Sequence, residues 1–471
     1  MNHKKHTLPL AGLLTLLLVL TAVALVIILQ QPTPQANDTP AAGQEHIHDF
    51  YSLHITTTGD GVPFAVRDLW IDSHFTMYTP YGRVQFAYAL GRIRGRGRSS
   101  WSNSYMHEKR PLRIRFDGTA DERLRQMAGS NHAARNWVLR SNHMDKSLLR
   151  DYTALFLGGL LPGMYWQPFA AFVHLYVNGE YMGVYMLADE REAGPGRAQL
   201  TGSPTPATSE FFIEMDWRNY RNSVEGVDFF RVNTHPEGPR EGYAPRSPSS
   251  VSAGVMRRDH LYNIRYPAAV MLTPAHFEYL ADYFMAVGVA MRRRDFDTIN
   301  SLVCINSLID HYFVHELFHN VDAGMSSTFF QLRGYGQNRR LELGPLWDFD
   351  VTAGNAYWLS NQTPYGGFYV SRRWYWAEAI HQTPELLAHA VERWEKYFAP
   401  AVLKTIDHIH QMAVLYENAF YLNFERFPIL GVYVWPNPPQ VVEIDSFLGQ
   451  VEYFLDFLYR RLWYLNTLLI H

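Results

Sequence analysis

Apolar and polar positions follow three regimes along this chain. From Leu8 to Leu29 no charge interrupts 22 residues, a length sufficient to cross about 30 Å of hydrocarbon as one helix. Gln30, Gln31 and Pro32 follow directly, with none of the small residues that mark signal-peptide cleavage, so the pattern favours an uncleaved anchor. Lys4 and Lys5 precede the run, and no Lys or Arg follows it until Arg67. That bias predicts a single-pass protein of the cell membrane, N-terminus inside and C-terminal body extracytoplasmic. Residues 30–47, rich in Pro, Gln and Ala, read as a flexible linker after the 1–29 stub and anchor.

Over residues 48–217 the pattern alternates. Strands are predicted from Ser52, Val84 and Pro111, and again over Glu210–Trp217. Asn178-Gly179 between two apolar runs marks a hairpin. One helix is expected from Met144. Over residues 218–471 the period becomes helical, with candidates at Pro274–Arg294, Asn300–His319, Trp374–Phe398, Pro400–Asn423 and Val441–Leu469. A strand pair interrupts them around residue 335, and Glu192–Ser209 and His235–Gly254 read as loops. The fold class is therefore α+β: a β-rich N-terminal lobe and a mostly helical C-terminal lobe.

Composition narrows the function. Lys+Arg number 42 against 45 Asp+Glu, so nothing in the overall charge calls for nucleic acid. A single cysteine, Cys304, excludes an intrachain disulfide and a four-cysteine zinc site. It reads as a small buried hydrophobe. An extracytoplasmic chain without disulfides points towards a bacterium.

His315-Glu316-Leu317-Phe318-His319 spells H-E-x-x-H, the helical spacing of two zinc ligands with a general base beside them. The long metzincin continuation fails, because Asp322 stands where Gly is required and Met325 where the third His should be. Glu342, another possible ligand, sits in a strand-like "RRLELG". The alternative is an amphipathic helix whose imidazoles, His311 included, line a cleft or pack against aromatics.

Beyond this helix the chain reads Asn320-Val321-Asp322, then Gly344-Pro345-Leu346-Trp347-Asp348-Phe349-Asp350, then Gly354-Asn355. With "IRGRGRSSW", "KRPLRIRFDG", "NWVLRSNHMDKSLLRD", "VHLYVNGEYMGVYMLADE" and "FFIEMD" upstream, this ordered set resembles the CotH family, the spore-coat-type atypical protein kinases, over residues 50 to 400. The resemblance implies a two-lobed kinase-like fold that transfers the γ-phosphoryl of ATP, with Mg²⁺, to Ser or Thr of a protein substrate. Asp322 would accept the acceptor hydroxyl's proton. Asp348 and Asp350, on one side of an extended strand, would hold Mg²⁺, and Asn355 would add an oxygen or merely close the turn. Gly95 and Gly97, with Ser99 and Ser100, would let backbone N–H groups approach phosphates. Arg113 or Arg115 would supply the phosphate-anchoring cation, with Glu190 or Glu214 as its partner, and Met215 would line the nucleotide at the hinge. The chain departs from the family pattern twice. Arg115 stands where Lys is common, and Ser326, Ser327 and Thr328 stand where some members carry Asn. Two other readings compete: a non-catalytic envelope scaffold on the same fold, and the zinc hydrolase.

Overall fold

Alternation with a period of two carries Leu53, Ile55, Phe75, Met77, Ile93 and Ile114 to one interior, each at most 1% exposed. The strands that present them are β1 (Tyr51–Thr57), β2 (Ile71–Tyr78), β3 (Val84–Gly95), β4 (Leu112–Phe116), β5 (Asn136–Arg140), β6 (Ala170–Val177) and β7 (Glu180–Asp189). They close a barrel in the order β1-β2-β3-β4-β5-β7-β6, with β6 parallel to β1 at the seam. The computed structural model describes residues 49–59, 66–97, 99–102, 109–117, 134–216, 224–233, 259–357 and 365–470. Asn178 and Gly179 turn the β6–β7 hairpin with φ of 50° and 84°, the left-handed pair that a two-residue turn demands.

Helix α1 (Arg150–Leu160) starts six residues later than Met144, where the pattern places it. Asp145 holds the intervening turn: it accepts hydrogen bonds from Ser147 N (3.0 Å) and Arg150 N (2.8 Å) and pairs with the Arg150 guanidinium at 2.5 Å. Both side chains of that pair are fully buried.

A second, antiparallel sheet joins β8 (Phe211–Met215), β9 (Phe229–Asn233), β10 (Asp259–Tyr266), β11 (Thr328–Arg333) and β12 (Arg340–Leu343) in the order β12-β11-β8-β10-β9. The strand expected at the end of the β-rich half, β8, is thus hydrogen-bonded between β10 and β11 of this sheet. All five of its residues are buried, as a central strand covered on both faces requires.

Helices α2 (Pro274–Arg293), α3 (Phe296–Leu302), α4 (Ile305–Leu317), α5 (Tyr375–Gln382), α6 (Pro384–Arg393), α7 (Ala399–Leu415), α8 (Glu417–Arg426) and α9 (Phe447–Ile470) make up most of the rest. Their core gathers Phe284, Leu308, Tyr312, Phe330, Trp376 and Phe454, all fully buried. The helix expected over Asn300–His319 breaks at Val303-Cys304, where Cys304 N donates to Leu341 O of β12 (2.9 Å). The chain is a mixed α+β protein with a β-rich region followed by a helical part. The anchor over Leu8–Leu29 and the 30–47 linker lie outside the described residues. Among the described residues, no helix is long and apolar enough to cross a membrane.

Candidate active site

The turn after β12 is built on aromatic burial. Leu346, Trp347 and Phe349 are at most 2% exposed, which leaves Asp348 as the accessible member, its side chain 39% exposed. Asp348 and Asp350 do not lie along one extended strand as the spacing suggested. Asp348 takes a left-handed φ of 71°, and Asp350 opens a turn in which Thr352 Oγ1 donates to Phe349 O (2.6 Å). Asn355 closes that turn. Its Nδ2 donates to Asp350 O (2.7 Å) and Met144 O (3.0 Å), and its Oδ1 accepts from Asn437 Nδ2 (2.8 Å). A fully buried amide so engaged is a structural tie rather than a metal ligand.

Asp348 is held from two directions. Oδ1 accepts from Arg140 Nη2 at the end of β5 (3.0 Å), and Oδ2 accepts from Ser327 Oγ (3.1 Å). The same Arg140 nitrogen lies 2.6 Å from Asp151 Oδ2 on α1, while Asp151 Oδ1 accepts from Phe349 N (2.7 Å). One guanidinium therefore pairs with two carboxylates, Asp151 and Asp348, and Asp350 acts on it electrostatically. Burial raises the Asp151 carboxyl, Arg140 opposes it and Asp348 adds to it, and the result is about 6. Asp350 is driven well above the usual carboxylate range by burial, then by Asp151 and Asp348.

Arginines line the facing wall. Arg140, Arg191 and Arg96 stand 4.8, 4.7 and 5.6 Å from the Trp347 ring centroid. Burial first, then Arg191, pulls Arg96 down to about 10. Glu190 meets Arg113 at 3.2 Å and Arg191 at 3.4 Å. Burial pushes its carboxyl up, but Arg191, Arg113 and Arg96 together overcome this and hold it at about 2. Glu214 is taken by Arg191 (3.4 Å) and Arg265 Nε (2.6 Å). Of the two β4 arginines, Arg113 meets a carboxylate of this cleft, whereas Arg115 is exposed between Arg92 and Asn136 of the neighbouring strands. Met215 is 1% exposed within the helical core, so its side chain fills the interior rather than a nucleotide pocket.

The glycines have a packing reason. A Cβ on Gly95 would meet the Trp101 indole at 2.2 Å, and Gly97 has a φ of 82°. The indole folded onto Gly95 covers the backbone that was expected to approach a phosphate. Sequence reasoning passed over Arg96, Arg140, Asp151 and Arg191. The available signals were an arginine between the two glycines, an arginine closing the apolar strand "NWVLR" and an acid inside an apolar helix. Charges set in such company are seldom buried without partners.

Asp322 lies in the turn after α4, half-buried. Its N–H donates to Asn320 Oδ1 (2.9 Å), and its carbonyl accepts from Met325 N and Ser326 N, each at 3.0 Å. Five residues on, Ser327 makes the bond to Asp348 already described. A single turn therefore carries both the candidate acceptor base and a tether to the aspartate cluster.

H-E-x-x-H is a structural motif here, which overturns the zinc reading. Helix α4 ends at Leu317, and His319 has a left-handed φ of 50°, so it stacks on Tyr369 (5.0 Å between centroids) instead of facing His315. His315 Nε2 sits 3.1 Å from His311 Nε2. Glu316 accepts from Tyr369 N (2.5 Å), Val370 N (2.9 Å) and Ser371 N (3.2 Å) and pairs with Arg461 at 2.5 Å. A carboxylate so saturated has no lone pair to spare for a water. Glu342 pairs with Arg333 (3.5 Å) at a cavity of about 610 Å³ lined also by Cys304, Arg340 and His389. None of the residues singled out for phosphoryl transfer lines that cavity.

Hard carboxylate oxygens short of positive charge suit Mg²⁺. Among the described residues no group of three His, Cys, Asp or Glu is placed to hold a metal ion by itself. An ion held by one or two carboxylates together with nucleotide phosphates fits such a donor set. The model of the CotH family, described as CotH kinase protein, matches residues 92–465, including the C-terminal helices to which no motif had been assigned. No curated protein matches the chain.

Proposed function

The chain belongs to the CotH family of kinase proteins, and from that premise we propose a two-lobed atypical protein kinase that transfers the γ-phosphoryl of ATP to Ser or Thr hydroxyls of a protein substrate. The observation that carries this reading is the Ser327–Asp348 hydrogen bond, because it brings the Asp322 turn to an aspartate cluster facing an arginine wall. Asp322 would orient the acceptor hydroxyl and take its proton as that oxygen bonds to the γ-phosphorus and the bond to the ADP oxygen breaks. Arg113, paired with Glu190, would anchor the nucleotide phosphates, and Arg96 and Arg191 would add charge along the same wall. Asp348 and Asp350 would hold Mg²⁺, which when bound supplies charge neutralisation at the phosphates.

The test incubates the full chain in detergent with Mg²⁺ and γ-labelled ATP, beside Asp322→Ala, Asp348→Ala and His315→Ala. Autophosphorylation and a Ser-rich acceptor are the readouts. Label that disappears with either aspartate change and survives His315→Ala is the expected result. No label in folded wild type would sink ATP-dependent transfer to these acceptors. One observation favours a second reading, a non-catalytic envelope scaffold: Arg140 already occupies Asp348 Oδ1. Nucleotide binding without label transfer is the outcome that would select it.

A further inference from the structure

Arg140 has no part in the phosphotransfer scheme, yet it sits at the centre of the aspartate cluster. Its side chain is 7% exposed and lies over the Trp347 ring. One nitrogen, Nη2, touches Asp151 Oδ2 at 2.6 Å and Asp348 Oδ1 at 3.0 Å. An ion held through Asp348 would need the Oδ1 lone pair that Arg140 Nη2 now takes. The guanidinium and the ion therefore exclude one another. Asp151 Oδ2 strengthens the case. It is buried and, among the described residues, has no well-directed hydrogen bond despite the close guanidinium. Its charge is met by proximity alone, which a coordinating cation would improve.

We propose that Arg140 is the resident counter-ion of the Asp151–Asp348–Asp350 cluster, and that it keeps a divalent ion out until a nucleotide arrives. Two oxygens of a phosphate can accept parallel N–H bonds from its fork in place of the carboxylates. Arg96 and Arg191, against the same indole, keep that wall positive, so the phosphates are drawn to the place where the guanidinium must move. The exchange puts one doubly charged ion on the aspartates and one guanidinium on the phosphates. This inference rests on the kinase reading for the identity of the nucleotide, but its test reads ion binding alone.

The probe is Mn²⁺, followed by the electron paramagnetic resonance of the free ion against the full chain in detergent, with and without the β,γ-imido analogue of ATP. Each is read against the same solution without protein, because the analogue itself binds Mn²⁺. Wild type is expected to bind Mn²⁺ weakly alone and about tenfold or more tightly with the analogue. Arg140→Met, without nucleotide, is expected to gain about tenfold in Mn²⁺ affinity, since it leaves the carboxylates uncompensated. Arg140→Gln, which keeps a polar side chain without the charge, is the second neutral variant should the methionine form fail to fold. Arg140→Lys keeps the charge and, without nucleotide, should bind Mn²⁺ as weakly as wild type. Wild type that binds Mn²⁺ as tightly alone as with the analogue overturns the proposal. So does a folded neutral variant whose affinity stays within about twofold of wild type. Failure of label transfer would sink the kinase reading and leave this result standing; unchanged Mn²⁺ binding would remove the role of Arg140 and leave transfer untouched.

Discussion

Asp151 illustrates how much one carboxylate can carry in this cleft. Its side chain is 2% exposed, its Oδ1 fixes Phe349 N, and its Oδ2 leans on Arg140. With the folded value pushed up to about 6 by burial, the native state binds this proton more tightly than the unfolded chain does. Its contribution to stability is therefore most favourable below the ordinary value of 3.8 and is lost as pH rises through about 6. Asp151→Asn keeps an oxygen for Phe349 N and removes that loss. Relative to wild type, the variant should gain about 3 kcal/mol between pH 4 and pH 7, at about 1.4 kcal/mol per unit of pKa shift. Urea unfolding of both proteins across that range, without divalent ion, measures the difference. A flat difference would show that Arg140 already balances the charge. A second residue-scale prediction separates the β4 arginines. Arg113→Met should weaken binding of the ATP analogue about tenfold, while Arg115→Met should leave it within about twofold. Fluorescence titration reads both. At this scale the ordered motifs pointed to Asp322, Asp348, Asp350, Arg113 and Glu190 as candidates, and Asp348 and the Arg113–Glu190 pair have the partners described above. They passed over Arg140, since the partner Asp348 lies 208 residues away and no local pattern announces so distant a contact.

Among the elements, the ends of strands and helices decide what the motifs mean. The alternating runs from Ser52, Val84 and Pro111 and the Asn178-Gly179 hairpin were legible, because period and turn chemistry are local. The sheet that receives β8 was not, since strand pairing is a long-range choice. H-E-x-x-H misleads for a related reason: the spacing assumes a helix through His319, and α4 stops at Leu317. Glu316 there binds three backbone N–H groups and Arg461, with both ionic side chains at most 1% exposed. Glu316→Ala should accordingly destabilise the fold by about 3–5 kcal/mol, the range for a buried pair broken on one side. Differential scanning calorimetry should register it, and the protein should contain no stoichiometric zinc before or after the change. At the end of β3, Gly95→Ala forces the Trp101 indole to move and should destabilise by about 1–3 kcal/mol, with a change in indole fluorescence.

The molecule as a whole buries histidines in a way that sets its response to acid. Burial holds His143 and His311 at about 3, His260 and His381 at about 4 and His319 at about 2, and keeps His315 well below its ordinary 6.5. All six are neutral in the native state at pH 5 and charged once exposed, so unfolding takes up about six protons there. Asp151 and Asp350 act in the opposite sense, because their raised folded values mean that protons are released on unfolding. The uptake by six histidines outweighs the release from these two carboxyls, so these groups make stability fall with acid near pH 5. For the histidines the stabilising term is fully present above 6.5 and declines as pH drops towards the folded values. Acid unfolding should therefore begin below about pH 6. His311→Phe tests the attribution. It removes one of the six charges gained and also separates His315 from its imidazole neighbour at 3.1 Å. A pH-jump with an indicator dye should show about one proton fewer taken up per molecule at pH 5, and the acid midpoint should move lower. An unchanged proton count would mean that His311 is already protonated in the native core, which its surroundings of Trp374 and His315 make electrostatically expensive.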